Sequence, residues 1–395
     1  MKAFAIAPQQ IARIVAALVA DELSWRFKRH VDFLTLASWT EETPLAGGGL
    51  GLNSQERAAC AARVERYFGM TASSLDDGSQ TRVDDWAARI DAAIGVAFRE
   101  MSFTAAGRDS LAEASCHGAD EVFCDAAAAA NLLYGRRRLI SLISPHSLMG
   151  FAVTVLTPNL QRIASVDARG MAPEELAGEL AFGDVVVATP TLWRFIISEG
   201  VKAPDNAMGV CFGEEMTAEL AADMRKAGFG ALRELYGSTE TGLIAWRGSP
   251  GEPFILFDHW RRDGETLMRR APSGEERRMA PMDALLWENE RAFRLGGRRD
   301  GAVQIGAVNV FPDRIAQTLR AHALVEDCRI AVSRHSGGVN RLIAHIKLNP
   351  EAAPSEQAAR AIDLWCRAEL RPQERPRIYS FEESLEAAGQ GSGSR

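Results

Sequence analysis

The stretch that most constrains this chain is Glu234–Leu243, which reads Glu-Leu-Tyr-Gly-Ser-Thr-Glu-Thr-Gly-Leu. Its two glycines permit positive φ values and close approach of the backbone to another group. The hydroxyls of Ser238 and Thr239 can bond phosphate oxygens, and the carboxylate of Glu240 suits a hard cation such as Mg²⁺. A polar hairpin turn is the structural alternative for so short a pattern. The stretch therefore predicts either a phosphate-binding turn or a simple connection between two strands.

The string Tyr236–Gly242 resembles the signature of the adenylate-forming superfamily, which contains acyl-CoA synthetases, peptide-synthetase adenylation domains and luciferases. Residues 295–312 resemble the hinge and first hairpin of that family's mobile C-terminal domain. The resemblance covers about residues 98–391 and implies an α/β fold. We expect an adenylate-forming large domain with mixed sheets and flanking helices, a small α+β C-terminal domain and a helical N-terminal module. The expected boundaries are 1–97, 98–297 and 298–395.

Composition limits the class of protein. The 395 residues suggest two or three domains, and a hydrophobic content of 47% is enough for substantial cores. The formal charge of −7 argues against a nucleic-acid partner. No apolar run approaches the ~18 residues of a membrane span, and the short run Ile14–Ala20 ends in two acidic residues, unlike a signal peptide. Because the six cysteines are scattered without a Cys-x-x-Cys pair, we expect a cytoplasmic protein.

The resemblance implies ATP or AMP and Mg²⁺ as cofactors, with CoA or phosphopantetheine as the thiol. The implied catalytic residues are Thr239, Glu240 and His146, with Glu240 as the metal ligand. The implied nucleotide-binding residues are Thr104, Gly107, Tyr236, Gly237, Ser238, Thr239, Asp283 and Arg298. The implied substrate pocket consists of His146, Phe151, Gly213 and Gly237, and the implied hinge is Asp300.

The chain departs from the family pattern where the family carries cations. In the loop after Thr104 the family's lysine is replaced by Glu113, and Asp109 adds a second negative charge. Groups next to a polyphosphate are normally hydrogen-bond donors and cations, so these carboxylates disfavour ordinary ATP binding. Gln304 and Ser392 stand where the family has two further lysines.

Two functions therefore remain open. The first is a ligase that activates an aryl or acyl carboxylic acid as acyl-AMP and passes it to the pantetheine thiol of CoA or an acyl carrier protein. The second is a non-adenylating relative that binds an acyl group, an acyl adenylate or a carrier protein as an acyl-transfer or assembly partner. The intact string Tyr236–Gly242 favours the first function, and the altered phosphate loop favours the second.

The N-terminal region contains a second, weaker resemblance. Residues 50–54, Leu-Gly-Leu-Asn-Ser, are similar to the phosphopantetheine attachment site of acyl carrier proteins, which would place the prosthetic group on Ser54. Asn53 and Gln55 replace the usual aspartate and leucine there. The alternative is that Ser54 caps the helix that the apolar spacing predicts over Ser54–Phe68.

Strand-like and helix-like patterns alternate from residue 138 to residue 227, which predicts a largely parallel sheet with crossover helices. After the Tyr236–Gly242 string the strands are expected to become more antiparallel. The charged group Glu275–Arg278 predicts an exposed turn.

Overall fold

The structure is a computed structural model that describes residues 6–72, 74–76, 78–97, 99–104, 114–305, 308–334, 340–352 and 354–385. The chain divides into two compact units. The first comprises Met1–Pro281 and Leu285–Leu295, and the second comprises Met282–Ala284 and Gly296–Arg395. Each unit has a hydrophobic core of its own.

The helices of the first unit are α1 (Pro8–Arg26), α2 (Phe33–Ser38), α3 (Ser54–Tyr67), α4 (Val83–Ala97), α5 (Ala119–Leu132), α6 (Leu148–Gly150), α7 (Thr157–Gln161), α8 (Pro173–Glu179), α9 (Pro190–Ser198) and α10 (Ala218–Lys226). A π-helical stretch, Phe151–Leu156, joins α6 to α7. The strands of the first unit are β1 (Glu100–Phe103), β2 (Ser115–Gly118), β3 (Arg138–Ser141), β4 (Ala164–Asp167), β5 (Asp184–Ala188), β6 (Met208–Cys211), β7 (Ala231–Ser238), β8 (Gly242–Arg247), β9 (Phe254–Leu256), β10 (Trp260–Asp263), β11 (Thr266–Arg270) and β12 (Glu276–Met279). Two further strands, β13 (Asp283–Trp287) and β14 (Ala292–Arg298), include residues of both units.

The main sheet has nine strands in the order β13-β14-β9-β8-β7-β6-β5-β3-β4. Strands β4, β3, β5, β6 and β7 run parallel, whereas β7, β8, β9 and β14 pair antiparallel. Every residue of β5 is buried, and four of the five are valine or alanine, as expected for a parallel strand that is covered on both faces. The predicted α/β fold with a mixed sheet is confirmed.

The N-terminal helices share one core with the sheet. Helix α1 buries apolar residues along most of its length, and it packs on α3 and α4. Residues such as Ile14 and Val64 belong to the same buried cluster as Phe151 and Leu243. Residues 6–97 therefore lie within the first unit and contribute directly to its core. None of the helices in the described ranges is long and apolar enough to cross a bilayer.

The second unit contains β15 (Val303–Ile305), β16 (Val308–Val310), α11 (Pro312–Arg320), β17 (Val325–Arg334), β18 (Asn340–Leu348), α12 (Glu356–Glu369) and β19 (Ile378–Phe381). Strand β18 pairs antiparallel with β17 and parallel with β19. Apolar residues of both helices, among them Ile315 and Ile362, form the core with this sheet.

Two local predictions were wrong. Helix α3 is capped by Asn53 and not by Ser54, because the Asn53 side chain accepts a hydrogen bond from the Glu56 backbone N–H (2.9 Å) and Glu56 returns one from the Asn53 N–H (3.0 Å). The charged group Glu275–Arg278 is largely strand β12, which pairs with β11 along Glu276–Met279. Its charges are compatible with a strand because its side chains face solvent.

Candidate active site

The topology of the sheet marks one edge as the place for a ligand. Strands β3 and β5 are neighbours in the sheet. After β3 the chain continues to β4, on the far side of β3 from β5, and after β5 it continues to β6, on the far side of β5 from β3. Ligands of open α/β sheets bind outside the carboxyl ends of the strands at such a reversal. His146 follows β3, Gly213 follows β6, and Ser238 ends β7. Parallel pairing thus brings three separate predicted segments to the same edge of the sheet.

The turn Ser238–Gly242 closes the hairpin of β7 and β8. The Thr241 hydroxyl accepts a hydrogen bond from the Ser238 backbone N–H (3.1 Å), and the Ser238 hydroxyl accepts from the Glu240 and Thr241 N–H groups (3.2 and 3.3 Å). These bonds fix the backbone of the turn. The proposed phosphate contact of the Ser238 hydroxyl remains a prediction.

The glycines of the turn are required by space as well as by backbone angle. Gly242 has a φ of +78°, and a Cβ there would lie 2.3 Å from Asp125 Oδ2 and 2.6 Å from Arg269 Nη1. A Cβ on Gly237 would lie 2.2 Å from the carbonyl oxygen of Gly242. Any larger residue at either position would displace the turn.

A buried polar network holds the turn from beneath. Asp125 is completely buried, and one of its oxygens accepts hydrogen bonds from Arg269 (2.9 Å) and His259 (3.0 Å). Its other oxygen accepts from the Leu243 backbone N–H (3.1 Å). The Arg269 guanidinium also donates to the Thr241 carbonyl (2.6 Å). A buried carboxylate is tolerated when such bonds satisfy it, and here the bonds fix the carbonyl and amide directions of the turn.

His117 completes this support. It is buried on β2, and its Nε2 bonds the carbonyl oxygen of Thr239 at 2.7 Å. Burial, with a smaller contribution from Arg269, lowers the pKa of His117, while the bond to Thr239 opposes the change. The neutral ring with its proton on Nε2 is therefore the form that donates to Thr239. The sequence pattern gave no sign of His117, Asp125, His259 or Arg269, because their partners lie far away along the chain.

A second buried ion pair lies earlier in the hairpin. The carboxylate of Glu234 accepts from Arg247 Nε (2.6 Å) and from the Met216 N–H (2.9 Å), and burial raises the pKa of Glu234 despite Arg247. The ring of Tyr236 is half-buried and contacts the rings of Phe254 and Phe293, with centroids 5.5 and 5.7 Å away. Its predicted adenine contact stays a prediction.

His146 lies in a different environment from the turn. Its side chain is 18% exposed, and its Nε2 is 3.9 Å from Asp21 Oδ2 on α1. Desolvation lowers the pKa of His146 to about 4, with Arg63 and Arg169 acting in the same direction and Asp21 against it. The imidazole is consequently uncharged at neutral pH.

Thr104 and His146 both line a small cleft of about 280 Å³, including its open mouth. Phe151 is completely buried between Tyr67 and Phe103, which is a core packing position. Gly213 has a φ of +91° and lies exposed after β6. Gly107 lies outside the described residues, as do Asp109, Glu113 and Ser392.

The predicted ribose and hinge residues belong to the second unit. The Arg298 guanidinium donates to both oxygens of Asp300 (2.8 and 2.5 Å), which lowers the pKa of that carboxyl. Asp300 also accepts from the Ala302 N–H (3.1 Å), so it fixes the turn before β15. Asp283 begins β13. The nucleotide contacts of Arg298 and Asp283 and the hinge role of Asp300 stay predictions.

Ser54 is exposed at the first position of α3, and its modification by phosphopantetheine stays a prediction. Within the described ranges no three His, Cys, Asp or Glu side chains converge as a metal site. A Mg²⁺ ion on Glu240 would therefore draw its other ligands from substrate oxygens and water, as Mg²⁺ commonly does.

The chain has relatives that align along nearly its whole length. A 4-coumarate–CoA ligase of Halorhodospira halophila is 28% identical over 370 residues, which is 93% of this chain and 94% of the relative. Another 4-coumarate–CoA ligase, from Rhodobacter capsulatus, is 29% identical over 406 residues, covering 96% of this chain and 98% of the relative. These relatives support the resemblance of the chain to acyl-CoA synthetase-like ligases of the adenylate-forming superfamily. No family model matches it.

Solved structures of adenylate-forming proteins share the fold. An amide bond synthetase from Marinactinospora thermotolerans superimposes with a TM-score of 0.59 at 14% identity, over 96% of this chain and 92% of that one. A malonyl-CoA ligase, solved with methylmalonyl-CoA and AMP, gives a TM-score of 0.58 at 17% identity, over 72% and 71% of the two chains. The adenylate-forming fold is therefore present although the phosphate loop has changed.

Proposed function

We propose that the protein is an acid–thiol ligase that activates a carboxylic acid with ATP and transfers the acyl group to CoA. The observation that carries this proposal is the rigid Ser238–Gly242 turn at the carboxyl edge of the sheet, in a chain aligned throughout with relatives named 4-coumarate–CoA ligase. A turn fixed before the ligand arrives loses little conformational entropy when it binds phosphate.

In the first half-reaction a carboxylate oxygen attacks the α-phosphorus of ATP, the bond from that phosphorus to the bridging oxygen breaks, and pyrophosphate leaves. The thiolate sulfur of CoA then attacks the acyl carbonyl carbon, and AMP departs with the electrons of the C–O bond. The thiol proton passes to solvent. Thr239 and Thr104 are proposed to contact the phosphates, and Tyr236 the adenine. Arg298 and Asp283 would take the ribose.

Glu240 fits a magnesium ligand because it is the one carboxylate of the Ser238–Gly242 turn, and carboxylate oxygens are ligands that Mg²⁺ prefers. A bound Mg²⁺ would neutralise charge on the phosphates. His146, uncharged at neutral pH, is proposed to border the acyl group and the incoming thiol. We also propose that an acyl carrier protein can accept the acyl group in place of CoA, and that Ser54 can carry phosphopantetheine.

We propose a hydroxycinnamic acid as the first substrate to test, because 4-coumarate is the acid named in both relatives. The wild-type protein is incubated with 4-coumarate, ATP, Mg²⁺ and CoA, and the thioester, AMP and pyrophosphate are quantified. Glu240→Gln should lower the rate by about 10²-fold or more, since a charge that stabilises a transition state is lost. Glu252→Gln is the control, because Glu252 is exposed and bonds only the Gly248 N–H among the described residues.

The non-adenylating function is retained as the second candidate, because Asp109, Glu113 and Ser392 replace groups that would favour phosphate binding. It predicts that carboxylic acids or acyl-CoA raise the melting temperature without nucleotide, while a panel of acids releases no pyrophosphate. Pyrophosphate release that depends on the acid eliminates this candidate.

A further inference from the structure

The cleft that contains Thr104 and His146 is largely built by the N-terminal helices. Helix α1 contributes Leu18 and helix α3 contributes Arg63, Arg66 and Tyr67. Strand β1 adds Ser102 next to Thr104. We call this set of residues the Arg66 cleft. All of them belong to the first unit.

Tyr67 lines this cleft and carries a hydroxyl that has no partner. The residue is only 2% exposed, and its hydroxyl has no hydrogen-bond partner. Its ring is held by edge-on contacts with Phe68, Phe103 and Phe151, at centroid distances of 4.8, 5.2 and 6.1 Å. Buried hydroxyls are almost always paired in native proteins because an unpaired one keeps the full cost of its desolvation. The fixed and unpaired hydroxyl of Tyr67 is therefore available to donate a hydrogen bond to a ligand.

Two more buried atoms of the cleft lack a partner. One is Nε of Arg63, whose other nitrogens pair with Asp21 and with Glu22 at 3.4 Å. The other is Nδ1 of His146, the ring whose Nε2 faces Asp21 at 3.9 Å. The carboxylates of Asp21 and Glu22 both pair with Arg63, and Asp21 also lies near His146.

Arg66 supplies an available positive charge. It lies exposed in the last turn of α3, and no ion pair holds its guanidinium within the part of the chain that the structure describes. The cleft therefore combines Arg66, Arg63 Nε and the hydroxyls of Tyr67, Ser102 and Thr104. All of these groups can donate hydrogen bonds, and the two guanidiniums can only donate. A donor-rich cleft with one unpaired cation is suited to an oxyanion.

We propose that the Arg66 cleft binds an oxyanion of the substrates, with Arg66 and Tyr67 as its principal donors. The choice of substrates rests on the proposed function, which offers two sources of this chemistry: the phosphates of ATP and the carboxylate of the acid. Helix α3 would then supply positive charge in a chain whose phosphate loop carries Asp109 and Glu113. The N-terminal region becomes part of the ligand site.

Calorimetric titration of the full chain tests this inference without requiring turnover. The probes are pyrophosphate, ATP·Mg²⁺, AMP, 4-coumarate and 4-coumaryl alcohol, which lacks the carboxylate. The variants are Arg66→Gln and Tyr67→Phe. The control is Arg225→Gln, because Arg225 is also an exposed arginine in the last turn of a helix. Far-ultraviolet circular dichroism and melting temperature verify that each variant is folded.

Each donor should be worth on the order of tenfold in affinity. Weaker binding of pyrophosphate and ATP in both variants, with 4-coumarate unchanged, supports the cleft and assigns it to phosphate. Weaker binding of 4-coumarate, with the alcohol unchanged, supports it and assigns it to the carboxylate. Wild-type affinities in Arg66→Gln and Tyr67→Phe, an equal loss in Arg225→Gln, or no binding of any anionic probe by the wild type would overturn it.

The titration separates this inference from the proposed function. If the wild type forms no thioester but still binds an oxyanion through Arg66, the proposed ligase activity is refuted and oxyanion binding by the cleft is supported. If the thioester forms equally well in Arg66→Gln and Tyr67→Phe, with unchanged Michaelis constants for ATP and acid, the ligase stands and the cleft fails.

Discussion

The Ser238–Gly242 turn and the Arg66 cleft lie in the same unit but differ in how their polar groups are satisfied. In the turn, backbone and side-chain groups bond one another, and Asp125, Arg269 and His117 hold the backbone from beneath. In the cleft, buried polar atoms of Arg63, Tyr67 and His146 have no partner. Beneath the turn, Nδ1 of His117 also lacks a partner, so the buried polar groups there are largely but not wholly satisfied. Mutations should therefore change stability at the turn and ligand affinity at the cleft.

Of the substitutions that test this comparison, Gly242→Ala should have the largest effect on stability. The new Cβ would overlap Asp125 and Arg269, and the residue would have to keep a φ of +78°. We expect the free energy of unfolding to fall by about 4 kcal/mol. Urea denaturation measures it. Gly251→Ala is the control, because nothing lies within 4 Å of its added Cβ, and it should change stability by less than about 0.5 kcal/mol. Equal effects would refute the packing argument.

Asp125→Asn removes the buried charge and keeps the size of the side chain. Arg269 then loses its buried partner and keeps as a counter-ion, among the described residues, only the carboxylate of Glu121, 3.9 Å from its Nε, so we expect a loss of about 3 kcal/mol in the free energy of unfolding and a lower rate of adenylation. Asp223→Asn breaks an exposed pair with Lys226 (3.2 Å) and should cost under about 1 kcal/mol. A loss below 1 kcal/mol for Asp125→Asn as well would mean that the network does not stabilise the turn.

In the Arg66 cleft, the protonation of His146 should make the free energy of unfolding depend on pH. Its pKa in the folded protein is about 4, below the ordinary value of 6.5, so the unfolded chain binds more protons between these two values. Stability therefore falls as the pH falls through this window, by about 2 kcal/mol from this residue at pH 5.

Denaturation at pH 7 and pH 5 tests this prediction in the wild type, in His146→Gln and in His30→Gln, which removes an exposed histidine. The loss of stability between the two pH values should shrink in His146→Gln and persist in His30→Gln. An unchanged loss in His146→Gln would contradict the assignment.

The smallest expected effect on stability comes from removing one buried hydroxyl, that of Tyr67 in the cleft or that of Thr241 in the turn. Tyr67→Phe removes a buried hydroxyl without a partner, and it should leave the stability of the free protein within about 0.5 kcal/mol or raise it. Thr241→Val removes a buried hydroxyl that accepts from Ser238, and it should cost about 1 kcal/mol. Melting curves without ligand give both values. A larger loss of stability in Tyr67→Phe than in Thr241→Val would contradict the proposed difference between the cleft and the turn.

Much of the fold could be predicted because its signals are local. The valine run of β5 specifies a buried strand, and the apolar spacing of residues 54–68 specifies α3, wherever these segments pack. The string Tyr236–Gly242 likewise marks a turn, since its glycines and hydroxyls act within a few residues of one another. The cap on α3 was assigned one residue too late, because asparagine and serine both suit that position.

The support of the site depended on pairing between distant segments. His117 reaches Thr239 across 122 positions of the chain, and Arg269 reaches Asp125 across 144. No periodicity or motif relates such residues, because their contact is produced by the packing of β2, α5 and β11 around the hairpin. The same holds for Arg66 and Tyr67, which meet Thr104 and His146 only after α3 packs against β1.

The sequence by itself indicated the family resemblance and specified the turn, because the residues that carry them are neighbours along the chain. Only the tertiary structure decided which groups hold that turn and which remain available to a ligand. The physical reason is that the satisfaction of a buried polar group depends on what the fold brings within about 3 Å of it.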